Sequence, residues 1–466
     1  MSGAGRRSSC GMESARTEQV LEDFVIRPVR SFSLVRSALG VLHLVALLAC
    51  VGAADARIEG EFQLNTWVAG DQERPAVASH PAEGWVAVWQ SGEQDGDCYG
   101  VYGRLFAPEG EPDGEEFRVN VDTIGCQMFP RIDSDPTGRF VVVWQSWGQD
   151  GSGYGIFGRR FDDEGTPLGP PFQINIWTAG NQERPAVATQ SDGSFLVVWQ
   201  SSAQDGSSYG VYGQEFDEEG NPTGEEFGVN VETEGWQGNP DLAIGPAGTW
   251  VVVWESENGD GNGFGILARR FGAAGIPLGP EIAVNEHLIN DQILPAAGVD
   301  SQGNLIVVWS SEDQDGHRFG VYARRFSSEL VPLGEEFQVN TYTYKDQMGP
   351  SVAVTPDGQF AVLWMSSFQD GSGLGVFGQV YLANGQPLGS EFQVNEYTDL
   401  YQSFPRAACD TGCLVIVWQS DVQDGDGYGI WARAYQMAEL GGDSERIARP
   451  HGAQHAGTGS NLPAKE

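Results

Sequence analysis

One pattern recurs along this chain with almost no drift, and it decides the architecture before any residue is considered alone. Asn65, Asn120, Asn175, Asn230, Asn285, Asn340 and Asn395 stand 55 residues apart, mostly within FQVN-like strings. Trp89, Trp144, Trp199, Trp254, Trp309, Trp364 and Trp418 keep step at the end of runs such as VVVW, with only the last spacing one residue short. Each unit holds four short β-prone segments separated by turn residues; in the second unit these are PRID, FVVVWQS, YGIFGRRF and PFQIN. Gly and Asp at the junctions supply hairpin turns, so each unit reads as a four-stranded antiparallel meander. The VVVW segment is apolar on both faces and must be covered on both sides, which stacked sheets provide. The first segment carries small residues such as PAVA and suits the crowded strand next to an axis. A unit of 55 residues exceeds the roughly 20 to 30 of a β-helix rung and matches a propeller blade. The repeats open on a fourth segment, Phe62-Gln63-Leu64-Asn65, and stop after a third, Ala434-Tyr435-Gln436. The expectation is therefore an all-β, seven-bladed β-propeller of four-stranded antiparallel blades spanning 57–436, its ring closed by the N-terminal strand so that no open edge remains.

Outside the ring the composition changes. Residues 1–56 read as an export signal region: Arg27, Arg30 and Arg36 precede the apolar run from Ala38 to Cys50, and Ala54-Asp55-Ala56 follows. The run is short for a membrane span. In a second reading, Leu47-Leu48-Ala49-Cys50 is a bacterial lipobox with Cys50 as an acylated anchor. Residues 437–466, rich in Gly, Ser, His and charge without periodicity, read as a disordered tail. The four cysteines past the signal suit an oxidising compartment, with Cys409–Cys413 stapling a hairpin and Cys98–Cys126 joining two loops as the expected pairs. With 64 acidic against 26 basic residues and a formal charge of −38, long-range repulsion excludes nucleic acid and anionic membrane surfaces as partners. Any membrane association would run through the lipid anchor.

The combined string VVWQSxxQDGxxYGVYGRRFDxxGxPxGxEFxVN resembles the tandem repeats of large exported bacterial surface proteins. The resemblance covers residues 62–436 and implies a secreted or cell-envelope repeat domain, without an activity to carry across. Similar units often accompany calcium-binding glycine-rich nonapeptides, which this chain lacks.

In a four-stranded meander, the loop between strands two and three and the loop to the next blade emerge on one face. The first carries Asp95, Asp150, Asp205, Asp260, Asp315, Asp370 and Asp424, each followed by Gly; the second carries Gln72, Gln127, Gln182, Gln237, Gln292, Gln347 and Gln402. Calcium is the candidate cofactor, with Glu93, Asp95 and Asp97 or Asp421, Asp424 and Asp426 as ligands, although it needs six to eight oxygens. The competing expectation is that each Asp caps its own loop, with the Gln amide as partner.

A site unique to one place must be built from residues that break the repeat. Candidate ligand-binding residues are Trp67, Trp147, Trp177, Trp236, Tyr342, Tyr344, Tyr397 and Tyr401, with Phe368 nearby. Aromatic rings beside carboxylates suit sugar faces and equally suit a protein surface. His80, His287 and His317 show no metal or triad spacing, so no catalytic residue is assigned. The first functional reading is a non-enzymatic extracellular or cell-surface module recognising glycan or protein by its loop face. The alternatives are a propeller glycosidase or lyase using channel-mouth carboxylates, and a calcium-stabilised structural domain of the envelope.

Overall fold

The computed structural model describes residues 60–80, 84–409 and 413–440. The export segment, the lipobox cysteine Cys50 and residues 441–466 lie outside them. Among the described residues no helix is long and apolar enough to cross a membrane.

Seven four-stranded antiparallel sheets form the body, each one a meander. Blade 1 takes Gln72–His80, Gly84–Gly92, Tyr99–Phe106 and Pro112–Arg118 from the axis outward. Blades 2 to 6 repeat this order. Blade 7 takes Gln402–Cys409, Cys413–Asp421 and Tyr428–Gln436, and its outer strand is Phe62–Gln63 from the other end of the repeats. Each innermost strand packs against the next, and the strand at Gln402 returns to the strand at Gln72, so the ring is closed.

The second strands are buried along nearly their whole length because a neighbouring blade covers each face, as their unbroken apolar runs require. Trp144, for example, packs among Val86, Val88, Val101 and Leu105 of blade 1. Third-strand arginines bolt adjacent blades together: Arg159, Arg269 and Arg433 donate to the carbonyls of Val119, Val229 and Val394 at 2.9, 2.9 and 3.1 Å. These arginines act in the packing of one blade on the next.

The seam repeats the bonds made within every blade. Phe62 pairs with Ala432 and Gln63 with Trp431. The Leu64 amide donates to the Ile430 carbonyl at 2.8 Å, and Ile430 donates to Asn65 Oδ1 at 2.8 Å, as Val101 does to Asn120 Oδ1. Glu61 accepts the Glu396 amide of blade 6 at 2.6 Å, as Glu116 accepts Thr66. At the other end, Met437–Leu440 form a short helical turn whose Met437 and Leu440 are buried against blades 6 and 7. Two apolar side chains just past residue 436 thus find cover against the ring.

Candidate functional site

The residues present seven times build the loop face. Six of the seven repeat Asn are buried and work as four-way joints; Asn230 is half-buried and lacks the bond to its Asp. Asn120 Oδ1 accepts the Val101 amide at 2.8 Å, and its Nδ2 is shared among the Asp122 carbonyl at 2.7 Å, Asp95 Oδ2 at 3.0 Å and Gln127 Oε1 at 3.1 Å. The repeat Asp is thus a cap, as one of the two expectations had it, but its side-chain partner is the Asn; the Gln binds the same Asn separately. Its second oxygen holds the loop, as Asp150 Oδ1 does with the Ser152 amide at 3.1 Å. The two loops of the face are tied across blades too, through the Cys98–Cys126 disulfide and Asp97 Oδ2, which accepts the Gly125 amide at 3.0 Å.

The calcium candidates are engaged in the same bonds. Asp424 accepts Gln63 Nε2 at 3.2 Å, and Asp426 accepts the Gly70 amide at 3.4 Å. Burial, with Asp71 nearby, raises the Asp421 carboxyl above its usual range. Glu93 is exposed, with its amide turned to the Cys98 carbonyl. Among the described residues no group of three or more His, Cys, Asp or Glu is arranged to hold a metal ion. A capped loop predicts that excess calcium and excess chelator give melting temperatures within about 1 °C of each other; a rise with calcium would show a native-state ligand. Cys409 and Cys413 end the two strands of their hairpin, whose turn, 410–412, lies outside the described residues.

The repeat-breaking aromatics divide. Trp67, Trp147, Trp177 and Tyr344 stand on the loop face, 41%, 51%, 41% and 55% exposed. The indole N–H groups of Trp67 and Trp177 are pinned to the carbonyls of Ala69 and Ala179 at 2.8 and 2.9 Å, which fixes the rings while their faces stay open. Trp147 meets Tyr154 edge to face at 5.0 Å. Tyr342 and Tyr344 meet at 6.5 Å beside Phe368, over which the Lys345 ammonium sits at 3.6 Å. Tyr397 is half-buried. Trp236 is a correction: it is 1% exposed and packs edge to face on Phe264 at 5.4 Å. It and the half-buried Tyr401 join an apolar layer with Ile293, Met348 and Met365 from blades 5 and 6. Val68, Ile124, Ile176 and Ile289 add exposed apolar surface along the same loops, a distribution typical of interaction faces.

Sequence reasoning pointed to carboxylates at the channel mouth but named no residue of the axis. Every innermost strand carries a β-bulge beside an invariant Pro, and the residue before that Pro takes a left-handed conformation, with φ of 54° at Arg74 and 51° at Arg184. Its amide leaves the ladder and is caught by the preceding blade: Phe129, Arg184 and Asn239 donate to Gln90, Gln145 and Gln200 Oε1, each at 3.0 Å. This is the role of the Gln in WQS. The bulges push their flanking side chains into the axial channel, a cavity of about 210 Å³. Before the prolines stand Arg74, Phe129, Arg184, Asn239, Leu294, Gly349 and Phe404; after them stand Ala76, Arg131, Ala186, Asp241, Ala296, Ser351 and Arg406. Four arginines from blades 7, 1, 2 and 3 thus face one aspartate. The signal was present in the sequence as variation about an invariant Pro.

Blade 4 places Glu255 where blades 1 to 3 have the catching Gln. Its Oε1 accepts Leu294 N at 2.5 Å and Asn239 Nδ2 at 2.9 Å, while Oε2 is buried with no hydrogen-bond partner among the described residues. Burial pushes this carboxyl up from 4.5 to about 7. A raised folded-state value means that the fold favours the protonated form. The stabilisation is therefore full below about pH 4.5 and is lost as pH climbs through about 7. Glu255→Gln restores the repeat residue and removes that loss, so it should be near neutral at pH 4.5 and stabilising by on the order of 1–3 kcal/mol at pH 8. Thermal melts at both pH values check this; a variant less stable at pH 8 would contradict it.

No family model matches this chain, and no curated protein matches it. Among solved structures, the chain is similar to a protein of unknown function from Dyadobacter fermentans (11% identity, 68% of this chain and 96% of that one, TM-score 0.48). It is also similar to an alpha-L-arabinofuranosidase of Fusarium graminearum in complex with arabinobiose (10% identity, 79% and 94% covered, TM-score 0.48) and to an alpha-L-arabinanase of Penicillium chrysogenum complexed with arabinobiose (14% identity, 79% and 94% covered, TM-score 0.45). At these identities and TM-scores the likeness carries nothing about ligand or activity in this chain.

Proposed function

We propose that this protein is a non-enzymatic binding module, working outside the cell or on its surface, that recognises a glycan or protein partner through its loop face. The observation that supports this most is the set of open aromatic faces at Trp67, Trp147, Trp177 and Tyr344, displayed on loops whose backbones are otherwise fixed by the Asn, Asp and Gln joints. Rings held in place stack on a sugar or partner side chain with little further loss of freedom. The formal charge of −38 directs the choice toward neutral or cationic partners at the rim. Export, by a cleaved signal or through an acylated Cys50, belongs to the same proposal, as does the absence of a required metal.

A glycosidase or lyase is the second reading, and one observation favours it: Glu255 lies directly behind the channel residues Asn239 and Leu294 with its carboxyl pushed up to about 7, in the range that suits a general acid. Against it, Asp241 is the single carboxylate lining the channel among the described residues, where a hydrolase of this type uses a pair. Incubation with plant and bacterial polysaccharides, assayed both for retention and for new reducing ends, separates the two. Retention without bond cleavage fits the module; cleavage that disappears in Glu255→Gln would replace it with the enzyme.

A further inference from the structure

The channel concentrates positive charge within a polyanion. Arg74, Arg131, Arg184 and Arg406 line it with Asp241, while the chain as a whole carries 64 acidic residues against 26 basic. The arginines come from four consecutive blades, 7 and 1 to 3. Blade 4 offers Asn239 and Asp241 at the same levels, and blades 5 and 6 offer Leu294, Ala296, Gly349 and Ser351. The walls are therefore unequal, cationic on one side and carrying only Asp241 as a charge on the other.

Two layers can be separated. At the upper level Arg74 lies 3.8 Å from the Phe404 ring centroid and 4.8 Å from that of Phe129, and Arg184 lies 5.1 Å from Phe129. Those guanidinium planes are held by aromatic faces. One residue beyond each proline, Arg131 and Arg406 have no such support. Each makes a single hydrogen bond among the described residues, from Nη1 to its own preceding proline carbonyl, Pro130 and Pro405, at 3.2 Å. A guanidinium has five N–H donors, so most donors of both groups have no protein acceptor. Asp241 is their nearest compensating charge, yet it forms no ion pair with either; its Oδ2 takes the Ala297 amide at 2.9 Å.

The electrostatics agree. Burial, and then Arg406 beside it, press Arg131 down to about 9, and burial also lowers Arg406. Arginine does not give up its proton at such sites in practice; the direction measures how poorly the two charges are compensated. Placing like charges together in a confined channel destabilises the fold, so the arrangement calls for a counter-charge beyond the single Asp241.

We propose that the axial channel binds a carboxylate carried on a compact organic body, the carboxylate bridging Arg131 and Arg406 and the body lying against Phe129, Phe404 and Leu294. Guanidinium forks match carboxylate geometry and form charge-assisted bonds to it. Asp241 opposes a second negative charge, which favours a monoanion over phosphate. A free organic acid and the acidic sugar of a glycan share this chemistry. The site does not rest on the rim reading, because none of the rim aromatics lines the channel.

The test is calorimetric titration of the folded protein with sodium glucuronate, a glucuronate-terminated disaccharide, glucose and inorganic phosphate at low ionic strength. Glucuronate is expected to bind and glucose not to; the disaccharide binding at least as tightly points to a glycan source, and its exclusion points to a free acid. Arg131→Gln with Arg406→Gln should weaken glucuronate at least tenfold, and Asp241→Asn should tighten it several-fold. Trp67→Ala with Trp177→Ala should leave it unchanged. Equal binding of phosphate, unchanged glucuronate affinity in the folded double arginine variant, or weaker binding in Asp241→Asn would each overturn the proposal. If the double variant does not fold, Asp241→Asn alone decides.

Discussion

A chain shortened to begin at Thr66 is expected to lose its cooperative monomeric fold. The deletion removes the outer strand of blade 7, the fully buried Leu64, and Asn65, whose Oδ1 holds the Ile430 amide. It also uncovers Trp85 and Phe106, whose rings lie 6.2 and 6.5 Å from Phe62. A buried leucine alone contributes about 2–5 kcal/mol. An orphaned joint and a bare strand edge bring the loss to a size comparable with the whole stability of an ordinary domain, about 5–15 kcal/mol. Size-exclusion chromatography should show aggregates, and calorimetry should show no sharp transition near that of the parent. Leu64→Asp is the single-residue version and should fail in the same direction. A shortened chain that elutes as a monomer and melts within about 3 °C of the parent would mean that the seam is not needed.

Trp254→Ala should cost about 3–5 kcal/mol, whereas Trp254→Phe should cost well under half of that. The indole is fully buried between blades 3 and 4, packed with Leu196, Val198 and Val211. Its Nε1 has no acceptor among the described residues, and the same holds for the other six repeat tryptophans. The ring therefore acts through volume and apolar area, and phenylalanine keeps most of both. Urea titration reads the difference as a fall in midpoint at constant slope. Equal losses for the two variants would point to a hydrogen bond at Nε1 and contradict the packing account.

Much of the fold was readable because the features that specify it recur. Seven Asn and seven Trp in step, a first segment of small residues, and repeats that open on a fourth strand and end on a third together admit one closed ring. The candidate site was less legible, for a physical reason that differs from residue to residue. Trp236 occupies a position filled by Asp71, Cys126 and Asn181 in blades 1 to 3, so it read as a rim residue. It is buried because Phe264 beside it and Ile293 of the next blade replace polar neighbours, a fact of tertiary context that no local pattern contains. The channel arginines were missed differently. Arg131 and Arg406 stand where other blades have Ala, Asp or Ser, but only the bulge at the preceding residue turns them toward the axis. Glu255 could have been found, since it departs from the WQS string by one residue.

The assignment of the loop face as the recognition surface is tested most directly by a glycan and protein array screened with the parent and with a Trp67→Ala, Trp147→Ala, Trp177→Ala variant, both confirmed to be folded by their melting transitions. The account predicts that the parent retains a defined set of array members and that the variant loses at least tenfold in affinity for them, about 1.4 kcal/mol. Equal retention by the two proteins would contradict it and move the binding surface elsewhere on the ring.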